Sequence, residues 1–310
     1  MLRGRRGRNF CRARAALQQG WSYGEALREG GVPVHRVIAR NGSGRPLACA
    51  QVAERRFFGF ARAAFLLRGP VWLVPGAEVV HEAAILRGIR RRLGRAALIW
   101  APETDRAPGR RPVITGYSTS WVDLSRGPGV LRARLAGKWR NALVQAERRP
   151  LEVRAGDAEE IRWLLDRNEA YRREVGYRGP SRAFLGRLAY HAGESFELLA
   201  LLAREGGTPL AGILVVRHGA SASYEVGYVS PRGRELRAKH LLLWRALGLL
   251  RDQGVRWLDL GGVATDRAPG IARFKLGLGG EVATLPGTFL VPRLSWAGKD
   301  GARFQDRSGE

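Results

Sequence analysis

The chain is poor in the residues that staple or metallate small folds. Its 310 residues include only two cysteines, Cys11 and Cys49, too few for a disulfide framework. Five scattered histidines have no spacing that suits zinc, so metal chemistry is not expected. Long apolar runs are missing as well. Stretches such as 198–203 and 212–216 fall far short of the roughly 18 residues a bilayer crossing needs. Six arginines (Arg3, Arg5, Arg6, Arg8, Arg12 and Arg14) precede no apolar segment and no small-residue cleavage site. A cytoplasmic chain with no transmembrane segment is the expectation.

Two further shortages concern charge. The chain holds 28 acids against 53 bases, a net charge of +25 and a pI near 11.5. Only four of those bases are lysine (Lys138, Lys239, Lys275 and Lys299), leaving 49 arginines. Such a field attracts polyanions: nucleic acid, pyrophosphate-bearing metabolites or an anionic membrane face. The same arginine excess, beside abundant Ala and Gly, is also what a GC-rich coding sequence produces without selection for binding. Both readings stand at this point.

What is present is enough for two cores. Hydrophobic residues make up 45% and charged residues 26%, a soluble globular balance, and the length suits two domains of about 150 residues. In the first half, 15–30 reads as a helix. The runs 34–40 and 47–57 read as strands joined by the hairpin signal Asn41-Gly42-Ser43-Gly44. A short strand (71–74), a helix (79–93) and a strand (96–100) follow. After a Pro/Gly/Arg-rich break at 108–112, a strand at 116–124 leads to one long helix over 130–149. Its buried stripe is Leu131, Leu135, Trp139 and Leu143. Its arginine-rich faces read as a phosphate-facing surface or as an ordinary solvated face.

The second half opens on a capping box, Asp157 with Glu160, heading a helix. A short helix begins at Ser181. Strands at 196–204, 210–218 and 223–230, a helix at 239–253 and a strand at 255–260 complete the order. Helix, three antiparallel strands, helix, strand resembles the acyltransferase fold of the GCN5-related N-acetyltransferases, and the first half repeats that order in degraded form. The expected fold is therefore α/β (α+β): two tandem units of this kind with mixed, largely antiparallel sheets. They span 1–150 and 151–292, with a loose tail over 293–310.

CoA-dependent members of that fold carry a glycine-bearing turn whose backbone N–H groups cradle the CoA pyrophosphate at a helix N-terminus. The equivalent stretch here is Arg232-Gly233-Arg234-Glu235-Leu236-Arg237-Ala238-Lys239. Arg237 stands where a glycine is required, and Glu235 sits where a phosphate would pass. The acyl group is expected on a carrier other than CoA.

Two segments then carry a closer resemblance. Trp257-Leu258-Asp259-Leu260-Gly261-Gly262 is followed by Pro269-Gly270-Ile271-Ala272-Arg273-Phe274-Lys275-Leu276-Gly277-Leu278-Gly279-Gly280. With Leu17-Gln18-Gln19-Gly20-Trp21, Arg68-Gly69-Pro70 and Lys138-Trp139-Arg140-Asn141, they make the chain similar to the Fem-type peptidyltransferases. These move an amino acid from aminoacyl-tRNA onto the peptide stem of peptidoglycan precursors. The resemblance implies that Lys275 stabilises the oxyanion of the tetrahedral intermediate, with Phe274 packed beside it. Arg273 of the same segment joins the substrate-binding set.

Strand alternation puts Tyr224, Val226 and Tyr228 on one face. The resemblance makes Tyr224 and Tyr228 acceptor-site residues. It likewise assigns Arg172, Arg173 and Tyr177 to gripping the precursor's phosphates. Two departures bear on the acceptor. No lysine follows Trp21 where the family often has one, and Ala101 replaces a carboxylate sometimes found before Pro102.

The leading expectation is thus an aminoacyltransferase that forms an amide bond. Its donor is aminoacyl-tRNA, and its acceptor a nucleotide- or lipid-linked peptidoglycan precursor or related peptide, with peripheral contact to an anionic membrane. The alternatives are an acyltransferase of the same fold using acyl-CoA or acyl-carrier protein to N-acylate a small molecule, and a basic RNA- or membrane-binding module.

Overall fold

The computed structural model describes residues 14–58, 61–104, 111–174, 176, 179–263, 268–292 and 303–306. These form two compact units. The first takes 1–117 together with 284–310, and the second takes 118–283.

In the first unit, helix α1 (Trp21–Glu29) precedes the hairpin β1 (Val34–Arg40) and β2 (Pro46–Phe57). The Asn41 carboxamide closes the turn by accepting from the Arg45 N–H at 2.8 Å. Strand β3 (Ala61–Leu67) adds antiparallel to β2, and the short β4 (Val71–Trp72) pairs with β2 as well. Helix α2 (Ala77–Arg92) is the crossover to β5 (Ala97–Ala101), which lies parallel to β3, as a parallel pair requires. Ile85, Leu86 and Ile89 of α2 cover the sheet's apolar face, where Leu66, Leu98 and Trp100 are buried.

The second unit begins at β6 (Ser118–Asp123). Two helices follow, α3 (Pro128–Arg134) and α4 (Gly137–Glu147), then β7 (Glu152–Ala155), α5 (Ala158–Glu174) and α6 (Arg182–Glu194). Strands β8 (Leu198–Glu205), β9 (Thr208–His218) and β10 (Ser221–Val229) form an antiparallel meander with β7. A short α7 (Pro231–Glu235) and then α8 (Ala238–Asp252) cross over to β11 (Trp257–Gly262), parallel to β10 and antiparallel to β6. Helix α9 (Pro269–Leu276) and β12 (Glu281–Thr284) complete the order β12-β6-β11-β10-β9-β8-β7.

Helices α4 and α8 share a core with one face of this sheet, through Leu143, Leu242, Leu247, Ile213, Val215 and Leu258. Helices α5 and α6 lie on the other face, where Leu164 fills the space over Gly212.

Two last strands return to the first sheet. β13 (Phe289–Val291) pairs with β5, and β14 (Arg303–Asp306) pairs with β1. Phe289 is buried with its ring 5.9 Å from that of Trp100.

Both sheets are mixed and largely antiparallel, as the element order implies. The expected division at 150 is replaced by one at 117/118. β6 hydrogen-bonds to β11, and Leu131, Leu135, Trp139 and Leu143 are buried in the second core. The long helix expected over 130–149 is two helices. Leu135 leaves helical geometry with ψ at 133°, and the chain re-enters a helix at Gly137. The tail expected to be loose from 293 contributes β14, while 293–302 and 307–310 lie outside the described residues.

Candidate functional site

The site forms where β10 and β11 part. Their parallel pairing runs from Ser221 opposite Trp257 to Ser223 opposite Asp259 and goes no further. Just beyond, β10 bulges between Tyr224 and Val226, so that Glu225 is the extra residue of the strand. At the same level β11 ends in the Asp259-Leu260-Gly261-Gly262 motif.

Asp259 shapes that end. Its carboxylate is 2% exposed and accepts from the Thr119 hydroxyl at 2.6 Å and from the Gly261 N–H at 2.8 Å. Gly261 has φ +73°, a left-handed conformation open to glycine at no steric cost. The turn presents the Gly262 carbonyl outward, and the Lys275 ammonium donates to it at 2.9 Å. The two segments singled out in the sequence therefore meet as donor and acceptor of one hydrogen bond.

Lys275 sits in the last turn of α9, a helix that starts with Pro269 at its first position. Gly277, Gly279 and Gly280 of the same segment follow the helix, with Gly277 at its C-cap. The Trp139 indole N–H donates to the Phe274 carbonyl at 3.1 Å, and the Ala136 N–H donates to Gly277 O at 2.9 Å. These bonds fix α9 against α4. Lys275 is half-buried, and burial pushes its pKa down. The Asp259 and Glu225 carboxylates push it back up.

A second lysine shares the site. The Lys239 ammonium, at the first turn of α8, lies 4.9 Å from the centre of the Phe274 ring and 5.9 Å from that of Tyr224. It has no carboxylate partner among the described residues. Burial pushes its pKa down to about 8, and the positive charges of Lys275 and Arg234 act in the same direction. His240 packs its ring edge-on between Trp139 (4.9 Å) and Phe274 (5.1 Å). Burial lowers its pKa to about 4, with Arg237 and Lys239 adding to the shift.

The Tyr224 hydroxyl is buried without a hydrogen-bond partner among the described residues, and that burial raises its pKa. It rests against Gly227, where an added Cβ would lie 1.7 Å from the hydroxyl oxygen and 2.9 Å from Lys239 Cε.

The expected site residues thus divide. Lys275, Phe274 and Tyr224 come together on the α8 side of the sheet. Arg273, on α9, is exposed. The bulge breaks the alternation expected of β10. Tyr224 packs on the α8 core, whereas the Tyr228 ring stands edge-on to Trp163 of α5 at 5.5 Å, across the sheet. Arg172 also belongs to α5. Its guanidinium bonds to Glu169 at 3.0 Å, to Gly179 O at 2.8 Å and to Pro180 O, and so ties down the loop after the helix. Arg173 is largely exposed and pairs with Glu169 at 3.4 Å. Tyr177 lies outside the described residues.

The sequence reading missed Lys239, His240 and Asp259 as parts of this site. For Lys239 the signal existed: it is as rare a residue type here as Lys275.

The turn between β10 and α8 holds no glycine cradle. Ser230 caps α7 through the Gly233 N–H, and Arg237 adopts φ +58° at the entry to α8, a left-handed position usually given to glycine. Glu235 is engaged by Arg232, which also grips Glu205.

Comparison with known proteins agrees with this geometry. A family model described as an acetyltransferase (GNAT) domain matches residues 131–276, which span β10, α8, β11 and α9. Among solved structures, FemX superposes with a TM-score of 0.78 at 13% identity, over 94% of this chain and 96% of that one. The chain has the Fem-type fold. The C-terminal domain (DUF2156) of a putative lysylphosphatidylglycerol synthetase from Agrobacterium fabrum is a more distant match. It shows a TM-score of 0.54 at 16% identity over 87% of each chain. No curated protein matches the sequence. Within the Fem-type fold, Lys275 and the Gly261-Gly262 strand end belong to the unit that carries the acetyltransferase domain. No helix among the described residues is long and apolar enough to cross a membrane.

Proposed function

We propose that the protein is an acyltransferase of the aminoacyl kind, moving an amino acid from aminoacyl-tRNA to an amine on a peptidoglycan precursor or a related peptide. The observation that carries this reading is the Lys275 ammonium, held at the mouth of the β10/β11 split by the Gly262 carbonyl. An ammonium has three N–H donors, so two remain for a ligand. Attack of an amine on the ester carbon puts negative charge on the carbonyl oxygen. A fixed donor at that oxygen is worth about 3–4 kcal/mol of transition-state stabilisation.

The donor assignment is supported by the α7–α8 turn, where Arg237 stands in a left-handed position usually given to glycine and the acidic Glu235 pairs with Arg232. The +25 charge suits a tRNA and a phosphate-bearing acceptor. The acetyltransferase-domain match supports a second reading, in which acyl-CoA or acyl-carrier protein is the donor.

Transfer of radiolabelled amino acid from charged tRNA to a precursor pool tests the first reading. Lys275→Ala is expected to lower kcat about 100- to 1,000-fold. Equal activity of wild type and Lys275→Ala would refute the role given to Lys275. Micromolar binding of CoA in calorimetry, with no transfer from tRNA, would favour the second reading.

A further inference from the structure

The chain uses arginine almost everywhere it needs a positive charge, yet two of its four lysines converge on this site. Arginine is not deprotonated in proteins, whereas a lysine whose charge is disfavoured can be. The two amines are placed differently. Lys275 has a carbonyl partner at 2.9 Å and two carboxylates, Asp259 and Glu225, that favour its charge. Lys239 has two aromatic rings, a positive neighbour on α9 and another, Arg234, on α7.

Each group that faces Lys239 among the described residues can be given a sign. From α9 come Phe274, uncharged, and Lys275, positive. From β10 comes Tyr224, a phenol kept neutral by burial, with Glu225 acting on Lys275. From α7 comes Arg234, positive. On α8 itself His240 stays neutral because it is packed between rings, and from β11 Asp259 acts on Lys275. No carboxylate among the described residues balances Lys239, and burial, with the positive charges of Lys275 and Arg234 added to it, brings its titration down to about pH 8. The rings keep the stem in one place. Phe274 lies under the amine, and Tyr224 crosses Gly227 beside Lys239 Cε.

We propose that Lys239 is the proton acceptor of the transfer, taking the proton of the attacking amine while Lys275 keeps its charge. The inference rests on the aminoacyl-transfer reading above. The acceptor nitrogen attacks the ester carbon, a C–N bond forms and the carbonyl electron pair moves onto the oxygen facing Lys275. The N–H proton passes to the neutral Lys239 amine. When the oxyanion collapses, the C–O bond to the ribose breaks. The Lys239 ammonium returns its proton to that leaving oxygen, so one amide and one hydroxyl form and Lys239 ends as it began. A proton acceptor is most effective when its pKa lies near the working pH, and Lys239 titrates at about 8.

Two measurements decide this. The first follows the four lysine side chains of the full chain by NMR after 13Cε labelling, with Lys239→Arg identifying the Lys239 signal. A midpoint near pH 8 is expected, and a midpoint in the ordinary lysine range overturns the proposal without touching the proposed function. The second is the pH profile of kcat. The wild type is expected to lose activity below a limb near pH 8. Lys239→Ala should lower kcat by about 100-fold or more, abolish that limb and leave KM within about threefold. Trimethylamine, a base that cannot be acylated to a stable amide, should restore about tenfold or more. Full activity with an unchanged limb in Lys239→Ala overturns the role of Lys239 alone, as does loss of activity that trimethylamine leaves unrestored. A wild type that moves no amino acid from tRNA overturns the reading beneath it as well, and the NMR midpoint still reports the state of the amine.

Discussion

At the scale of single residues, Lys239 has a consequence for stability that is independent of its chemistry. An unfolded lysine titrates near about 10.4, whereas Lys239 in the fold does so at about 8. Between those values the unfolded chain holds more protons, so stability rises with pH across that window. Lys239→Met is expected to stabilise the protein at pH 7 by on the order of 2 kcal/mol, an advantage that fades above about pH 10, as urea unfolding would register. His240 acts at the other end. Its folded pKa of about 4 lies below the ordinary histidine value, so stability falls as pH drops from about 6.5 toward 4. His240→Phe should flatten that slope in thermal melts. Lys275 was legible in the sequence through its rarity and its glycine-rich setting. Lys239 carried the same rarity but sits at the end of a turn whose glycines, rather than its lysine, drew the reading. Asp259 was visible as a motif letter. Its work, closing the strand end through Thr119 and Gly261, depends on a partner 140 residues away.

At the scale of elements, local signals were reliable where the chain satisfies itself nearby. The capping box is present: the Asp157 carboxylate accepts from the Glu160 N–H at 2.9 Å, and the Glu160 carboxylate accepts from the Asp157 N–H at 3.1 Å. Asp157→Ala should cost about 1 kcal/mol in chemical denaturation. The β1–β2 hairpin follows its Asn-Gly turn equally closely.

Elements defined by distant partners were harder to read. Strand β3 escaped notice because its residues become a strand by pairing with β2 and β5. The α3/α4 break is hidden from periodicity, since Leu131, Leu135, Trp139 and Leu143 remain buried on both sides of it. The bulge in β10 has no sequence mark, and it moves Tyr224 and Tyr228 to opposite faces. Its packing gives a sharp test. Gly227→Ala places a Cβ on the Tyr224 hydroxyl and should destabilise the second unit by about 1–3 kcal/mol. Tyr224→Phe, which removes that hydroxyl, should recover part of the loss.

At the scale of the whole molecule, the two-unit organisation was readable from element order, and its boundary was not. Halving the length put the cut at 150, while the Pro/Gly/Arg-rich break at 108–112 lay near the true one at 117/118. Three residues, Phe289–Val291, are too short a run to announce that they complete a sheet begun some 250 positions earlier. The second unit, by contrast, is one continuous stretch. The isolated segment 118–283 is expected to fold on its own with a cooperative melt. The segment 1–117 without 284–310 should not, because β13 and the bonds from Val113 N to Thr288 O (2.7 Å) and from Leu285 N to Tyr117 O (3.0 Å) are then missing. Circular dichroism of the two fragments checks both expectations.

That split in the first unit sets an order for biosynthesis. As the chain leaves the ribosome, β1 to β5 emerge as a sheet still lacking both of its edge strands, β13 and β14. They must wait while the middle of the protein is translated and collapses around its own core. The unit begun first is therefore the last to be finished, and through that interval its bare strands β1 and β5 are what a chaperone or another nascent chain would meet.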